Sequence, residues 1–201
     1  LLKCGSSVEI KRGYKMKALV KMEPGAGNWQ IIDKPEPTIN KDQVKIKVEY
    51  IGVCGSDIHT YEGHYNINAK DLIIGHEFAG IAVEVGENVK HVKVGDKVTS
   101  ETTFEICGKC RYCLEKEYNL CPTRKGLGTQ QDGACANYIV ARGASVHVLP
   151  ENLSCKEAAI TEAAACAHHG VCKATIKKGD IVLVLGPGPI GLLVAQIVRA
   201  K

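Results

Sequence analysis

Residues 44–59 read Val-Lys-Ile-Lys-Val-Glu-Tyr-Ile-Gly-Val-Cys-Gly-Ser-Asp-Ile-His. In the first half, the apolar residues Val44, Ile46, Val48 and Tyr50 alternate with charged residues, which is the period-two pattern of a half-buried strand. The second half contains a thiol, a hydroxyl, a carboxylate and an imidazole within six residues, namely Cys54, Ser56, Asp57 and His59. The stretch therefore predicts a strand that ends in groups suited to metal binding and proton transfer, or else an ordinary turn.

Further strand-sized runs occur on both sides of this stretch, and turns rich in Gly and Pro separate them. Their spacing favours an antiparallel, barrel-like domain that is mostly β with some α, and it places the polar motifs on loops or strand ends. The predicted strands are Lys17–Lys21, Trp29–Asp33, Val44–Tyr50, Ala79–Val85, Lys97–Thr99, Tyr138–Ala141 and Val146–Leu149.

The composition changes after residue 155. The alanine-rich stretch Lys156–Ala174 predicts a helix, and the apolar run Ile181–Leu185 is typical of a strand buried on both faces of a parallel sheet. The glycine motif Gly186-Pro187-Gly188-Pro189-Ile190-Gly191 follows, and then an apolar helix over Leu192–Val198. In this context the motif is a dinucleotide fingerprint: Gly186 makes the turn, Gly188 admits a pyrophosphate, and Gly191 allows close packing. A strand-turn-helix without a ligand is the alternative.

The composition narrows the class of protein. The chain has 201 residues, 45% hydrophobic content, and a net charge of +4 from scattered lysines, so a nucleic-acid or membrane partner is not indicated. Its ten cysteines accompany no cleavable apolar leader, which favours reduced, metal-bound or buried thiols in a cytoplasmic protein. We expect residues 1–15, which precede Met16, to be an upstream extension or a cloning remnant.

Four cysteines form the strongest metal motif. They are separated by two, two and seven residues: Cys107, Cys110, Cys113 and Cys121. Four thiolates at this spacing can close tetrahedrally on one Zn²⁺ and leave no open coordination position, which defines a structural site. An iron–sulfur cluster and four unconnected thiols are the alternatives.

A second metal site is predicted from Cys54 and from His76, which follows the apolar approach Leu72-Ile73-Ile74. A thiolate, an imidazole and a carboxylate would leave one zinc position open for water or substrate. Glu77 is a candidate ligand or a partner of the ligands, and Asp57 can hold the loop or a ligand in place. Ser56 and His59 can pass a proton to solvent. Alternatively, Cys54 is a buried thiol, His76 a core histidine and His59 a surface histidine.

Taken together, residues 16–201 resemble a zinc-dependent medium-chain alcohol or polyol dehydrogenase, because four motifs occur in order: GVCGSDIH, GHEFAG, the four cysteines and GPGPIG. The resemblance implies a GroES-like catalytic domain over residues 16–175, followed by the start of a truncated Rossmann domain over residues 176–201. It also implies catalytic-zinc ligands at Cys54 and His76, a proton relay through Ser56 and His59, and a neighbouring acid at Glu77. The four-cysteine lobe would hold the structural zinc.

The resemblance also places the third catalytic ligand. Glu162 lies 24 residues before Gly186, where the sorbitol-like branch keeps a glutamate, and Cys166 is the competing thiol on the same helical face. We favour Glu162. The chain departs from that branch at Ala163, where proline is usual, and at Thr60, where an aromatic residue is usual.

The sequence thus predicts hydride transfer between a secondary alcohol or polyol and NAD or NADP, with two zinc ions per chain. Threonine or a simple alcohol is the alternative substrate, and a non-catalytic zinc-stabilised binding module is the alternative function. We expect a homo-oligomer with a small-molecule substrate. We expect this portion alone to be inactive, because the rest of the cofactor domain is missing from it.

Overall fold

In the computed structural model of the protein, residues 15–64 and 70–201 are described, and three antiparallel sheets organise them. The ten strands are β1 (Lys15–Lys21), β2 (Trp29–Pro35), β3 (Gln43–Gly52), β4 (Leu72–Ile73), β5 (Glu77–Val85), β6 (Lys97–Ser100), β7 (Thr103–Glu105), β8 (Lys125–Gly126), β9 (Tyr138–Arg142) and β10 (Val146–Val148). The largest sheet has the order β10-β6-β5-β3-β9. A second sheet has the order β2-β1-β4, and β7 pairs with β8. The seven strands predicted for the barrel-like domain are confirmed.

The main core forms around the five-stranded sheet. Val44 and Ile46 of β3 are fully buried and belong to one cluster with Phe78 of β5 and Ile139 of β9. Burying such a side chain contributes about 1.5–3 kcal/mol each. The alternation in residues 44–48 therefore marks the face of β3 that holds the barrel together.

Near the end of β3, the alternation of its side chains between the two faces of the sheet is reversed. Tyr50, predicted to share the buried face, is 48% exposed, because the pairing with β5 shifts register between Val48 and Tyr50. Glu49 is the extra residue of this β-bulge, and an unpaired residue reverses the alternation beyond it. A Cβ at Gly80, which pairs with Val48, would lie 2.0 Å from the Lys47 carbonyl oxygen, so glycine allows the close approach. The bulge directs the end of β3 towards Glu77.

Five α-helices complete the described regions: α1 (Gly55–Glu62), α2 (Arg111–Leu114), α3 (Cys155–Ala158), α4 (Thr161–Lys173) and α5 (Pro189–Ala200). The helix predicted over residues 156–174 is confirmed for most of its length, but it is divided into α3 and α4. Ser154 and Glu157 form a capping box that starts α3, whereas Ile160 has φ −96° and ψ 12° and breaks the hydrogen-bonded ladder before Thr161. Within the described ranges, none of the helices has the length and apolarity needed to cross a bilayer.

The predicted strand Ile181–Leu185 is not formed as a strand, although the helix after it is confirmed as α5. A parallel strand requires a neighbouring strand for its backbone hydrogen bonds, and no strand pairs with this segment in the described residues. Ile181, Leu183 and Leu185 are 100%, 80% and 86% exposed. The segment therefore leaves an apolar face uncovered.

Candidate functional site

The end of β3 and the start of β5 bring three predicted metal-binding residues together. Gly52 pairs with Glu77, so Cys54, two residues after β3 ends, lies beside His76 and Glu77. The ligating atoms of Cys54, His76 and Glu77 all lie within 4.8 Å of one another. One thiol, one imidazole and one carboxylate at this separation match the ligand set that an open zinc site requires.

Asp57 supports two members of this cluster. Its Oδ2 accepts a hydrogen bond of 3.0 Å from the backbone N–H of Cys54, and this bond holds the first turn of α1. Its Oδ1 lies 3.9 Å from Nδ1 of His76. Asp57 is itself buried, so its carboxylate orients both the thiol-bearing loop and the imidazole. The predicted role of Asp57 in holding the loop agrees with these contacts.

Glu77 is poorly placed to carry a charge without a cation nearby. Burial raises the pKa of Glu77, His76 opposes this rise, and the carboxylates of Glu162 and Asp57 add to it. A buried carboxylate among other acids is stabilised by a bound cation, because the cation offsets both desolvation and repulsion. The site therefore fits a metal ion.

Glu162 and Cys166 lie one turn apart at the start of α4, and Cys166 Sγ donates a hydrogen bond of 3.6 Å to Glu162 Oε1. Burial raises the pKa of Cys166, and the charge of Glu162 adds to the rise. Both residues are close enough to Glu77 to interact electrostatically with it, yet neither belongs to the group of ligating atoms within 4.8 Å. Of the two candidate carboxylate ligands, Glu77 and Glu162, Glu77 is therefore the one that shares the group with Cys54 and His76.

A cleft of about 930 Å³ joins this cluster to the glycine motif. Cys54, Ser56, His59 and Glu77 line one side of the cleft, and residues 184–186 and 188–194 line the other. Ser56 is half-buried, whereas the His59 side chain is 61% exposed. The two predicted relay residues thus extend from the cluster towards solvent.

The glycine motif turns tightly before α5. Gly186 has φ +98°, a conformation that favours glycine, and a Cβ at Gly191 would lie 1.9 Å from the Gly186 carbonyl oxygen. Gly188 is the N-cap of α5, and its neighbourhood is open, since a Cβ there would meet no atom within 4 Å. The first-turn amides, which include those of Ile190 and Gly191, point to the helix N-terminus, where phosphates bind.

The four lobe cysteines form a second cluster. The Sγ atom of Cys113 lies 3.5 Å from that of Cys110 and 3.9 Å from that of Cys107, and Cys121 and Cys107 are separated by 3.7 Å. A tetrahedral Zn²⁺ with Zn–S bonds of about 2.3 Å separates its thiolates by roughly 3.8 Å. The sulfur positions therefore match a closed tetrahedral site.

Backbone amides stabilise negative sulfur in this lobe. The N–H of Cys107 donates to Cys121 Sγ at 3.5 Å and lowers the pKa of Cys121 to about 6. The N–H groups of Lys109 and Cys110 likewise lower the pKa of Cys107. Burial, in contrast, raises the pKa of Cys113 to about 12. Since no disulfide links any cysteine in the described ranges, the lobe fits a cation that balances four thiolates.

A third group of possible metal ligands contains two residues, Glu62 and His64, that the sequence analysis did not predict as site residues. His59, Glu62 and His64 place their ligating atoms within 4.8 Å of one another on the surface. The sequence could have indicated part of this cluster, because His59 and Glu62 are three residues apart on α1 and therefore lie on the same face of the helix. His64 was not predictable in the same way, because its position depends on the turn that ends the helix.

The barrel, the lobe and the cleft define a class of protein. Residues 40–151, more than half of the chain, match the family model of the alcohol dehydrogenase GroES-like domain, so the chain belongs to that family. It is 58% identical over 185 residues to a sorbitol dehydrogenase of Halalkalibacterium halodurans, covering 92% of this chain and 54% of that protein. It is 51% identical to the D-arabitol-phosphate dehydrogenase of Enterococcus avium, covering 92% of this chain and 53% of that protein.

A solved structure supports the same relationship. A Sinorhizobium meliloti protein described as a zinc-binding dehydrogenase, bound to NADP, superposes with a TM-score of 0.85 at 33% identity. The match covers 93% of this chain and 54% of that one. The chain thus spans about half the length of the relatives it matches.

Proposed function

We propose that the full-length protein is a zinc-dependent dehydrogenase that transfers a hydride between a secondary alcohol or polyol and NAD or NADP. One observation carries this proposal: a single cleft is lined both by the Cys54–Glu77 cluster and by the glycine loop before α5. An oxidoreductase of this kind requires its substrate-polarising group and its nucleotide site to face the same space.

The relatives favour polyols as the substrate class, since two of them are a sorbitol dehydrogenase and a D-arabitol-phosphate dehydrogenase. The NADP in the Sinorhizobium meliloti structure supports a nicotinamide cofactor. We assign residues 16–175 to the catalytic domain and residues 176–201 to the start of the cofactor domain. Because the chain covers about half of these relatives, the activity belongs to the full-length protein.

Cys54 and His76 are the proposed ligands of the catalytic zinc, with Glu77 and Glu162 as the candidate carboxylates. Zinc bound there supplies a Lewis acid that lowers the pKa of a substrate hydroxyl. The clustering of Cys54, His76 and Glu77 within 4.8 Å supports this ligand set. The proximity of Glu162 to Glu77 supports a role as an alternative ligand or as a partner of the bound water.

Ser56 and His59 are the proposed proton path. The Ser56 hydroxyl can accept the proton of the substrate hydroxyl and donate its own, because a hydroxyl is both donor and acceptor. The His59 side chain lies largely in solvent, and an imidazole nitrogen can accept a proton and pass it on, so His59 can release the proton to water. Both residues line the cleft, which supports proton transfer from the substrate first to Ser56 and then to His59.

The other sites supply stability and cofactor binding. Cys107, Cys110, Cys113 and Cys121 would hold a second, structural zinc, as their sulfur separations support. Gly186, Gly188, Ile190 and Gly191 would receive the cofactor pyrophosphate at the N-terminus of α5. We further propose that the protein is cytoplasmic and forms a homo-oligomer, and the uncovered apolar segment Ile181–Leu185 is consistent with burial in the complete protein.

The test compares two cysteine variants of the full-length protein. Cys54→Ser should reduce the zinc content by one equivalent and lower polyol oxidation by at least about a hundredfold, since one ligand of the open site is lost. Cys172→Ser, at an exposed cysteine on α4, should change neither quantity. The assay panel contains polyols, threonine and simple alcohols with each nicotinamide cofactor. Oxidation by Cys54→Ser at the parental rate would contradict the proposal.

A further inference from the structure

We propose that His59, Glu62 and His64 form an additional Zn²⁺ site on the surface, and that zinc bound there inhibits the enzyme by occupying His59. The first half of this proposal, the metal site, stands on the geometry of the cluster alone. The second half, inhibition, rests on the proposed function of His59 in proton transfer.

The separations in the cluster suit a zinc ion. Nδ1 of His59 lies 3.6 Å from Oε2 of Glu62, and Nδ1 of His64 lies 3.3 Å from the same oxygen. Tetrahedral zinc with bonds of about 2.0–2.1 Å to nitrogen and oxygen holds such ligands roughly 3.3 Å apart. Two imidazoles and one carboxylate are also a normal ligand set for zinc. A metal ion can therefore enter with small side-chain movements, and water would complete the coordination.

The backbone places His64 beside His59. Helix α1 ends in a Schellman motif: Gly63 has φ +81°, its N–H bonds to the Thr60 carbonyl, and the N–H of His64 donates to the His59 carbonyl at 2.9 Å. In this motif the second residue after the helix, here His64, folds back beside the residue that begins the last turn, here His59. Gly63 also packs against Ala26, whose Cβ would lie 3.0 Å from a Cβ at position 63. The two histidines are thus held together before any metal binds.

Metal binding at this site has a direct consequence for His59. A zinc ion takes the Nδ1 lone pair, and an imidazole whose nitrogen is bound to metal cannot pick up a proton at that atom. His59 lines the cleft, whereas Glu62 and His64 do not. The second histidine and the carboxylate therefore bind metal without taking part in the proposed chemistry, so they can be changed independently of it.

The binding test is a calorimetric titration of Zn²⁺ into full-length protein that already carries its tightly bound zinc. We expect His64→Gln and Glu62→Gln each to weaken the additional binding event by at least tenfold, since each removes one of three ligands. His147→Gln is the matched control, because His147 lies 3.1 Å from Glu101 with similar exposure, but within residues 15–64 and 70–201 it belongs to no three-residue metal-binding group. If His64→Gln and Glu62→Gln bind additional zinc as tightly as the parent, the site is refuted.

The inhibition test measures alcohol oxidation at increasing Zn²⁺. We expect the parent and His147→Gln to lose activity over the range in which the calorimetric site fills, and His64→Gln to keep it with unchanged basal activity. If His64 is required for the additional zinc but the parent is not inhibited, the inhibitory role is refuted. If no alcohol is oxidised by any variant, the proposed function fails while the calorimetric result still decides the metal site.

Discussion

A Cβ atom at Gly52 would lie 2.2 Å from Oε2 and 2.9 Å from Cβ of Glu77. The end of β3 therefore has room for Glu77 beside Cys54 and His76 only while position 52 lacks a side chain. We predict that Gly52→Ala displaces Glu77 and weakens metal binding at this cluster by at least tenfold. Competition with a chromogenic chelator measures this affinity.

Gly55→Ala is the control for this change, because a Cβ at Gly55 meets no atom within 4 Å and the residue starts α1. Alanine is a better helix former than glycine, by up to about 1 kcal/mol, so the control should fold as stably as the parent. Equal metal affinity in the two variants would show that Glu77 does not depend on the space at Gly52.

Removing one thiol from the lobe tests the structural site. We predict that Cys113→Ser lowers the zinc content by one equivalent and lowers the melting temperature, because metal binding in such a lobe contributes to folding. Cys172→Ser provides the exposed-cysteine control. Metal analysis and thermal unfolding are the measurements, and an unchanged zinc content in Cys113→Ser would contradict the assignment.

The two later glycines of the nucleotide motif should respond differently to alanine. At Gly191 the new Cβ would overlap the Gly186 carbonyl oxygen at 1.9 Å, so Gly191→Ala should cost about 1–3 kcal/mol in unfolding free energy. At Gly188 there is space, so Gly188→Ala should cost less than about 1 kcal/mol. In the full-length protein, Gly188→Ala should instead weaken cofactor binding, because its methyl group occupies the approach of the pyrophosphate. Urea unfolding and cofactor titration separate the two effects, and equal stability losses would refute the distinction.

Lys45 provides a pH-dependent contribution to stability far from the metal clusters. Its ammonium group is buried between Glu84 at 2.8 Å and Glu36 at 3.1 Å. Burial acts to lower the pKa of Lys45, but the hydrogen bonds with Glu84 and Glu36 outweigh it and raise the pKa above 10.5. The ion pairs thus contribute stability that is fully present below pH 10.5 and is lost as the pH rises through the higher pKa of the folded state.

We therefore predict that Lys45→Met costs about 1 kcal/mol at pH 8 and that the difference from the parent shrinks above pH 10.5. Lys41→Met, which removes an exposed pair with Glu87, should have almost no effect at either pH. Urea unfolding at both pH values measures the change. A Lys45→Met deficit that stays constant with pH would contradict the ion-pair explanation.

The uncovered segment Ile181–Leu185 should make the 201-residue chain associate. Leu183 is 80% exposed in an unpaired apolar run, which is a surface that pairs readily with another chain. We predict that Leu183→Lys reduces self-association in light scattering, whereas Val94→Lys, at a 66% exposed turn residue, does not. A strictly monomeric parent chain with this segment protected from hydrogen exchange would refute the prediction.

The predictable features were those determined by local pattern. Alternating residues located the strands, and the spacing of four cysteines located the lobe, because both depend on side chains near one another in the sequence. The break before Thr161 was not predictable from helix propensity, since a single backbone angle pair at Ile160 produces it. The pairing of Ile181–Leu185 depends on neighbouring strands, and the position of His64 depends on a helix end. Each of these requires knowledge of backbone geometry that composition does not contain.

The bulge at Glu49 makes the metal site sensitive to the number of residues in β3. Deleting one residue beyond the bulge, such as Ile51, would pair Gly52 with Phe78 instead of Glu77 and reverse the side of the sheet on which the chain leaves towards Cys54. Replacing Glu49 by another residue leaves that count unchanged. We therefore expect sequences that keep this site to vary in the identity of the residue at the bulge but not in the length of the strand.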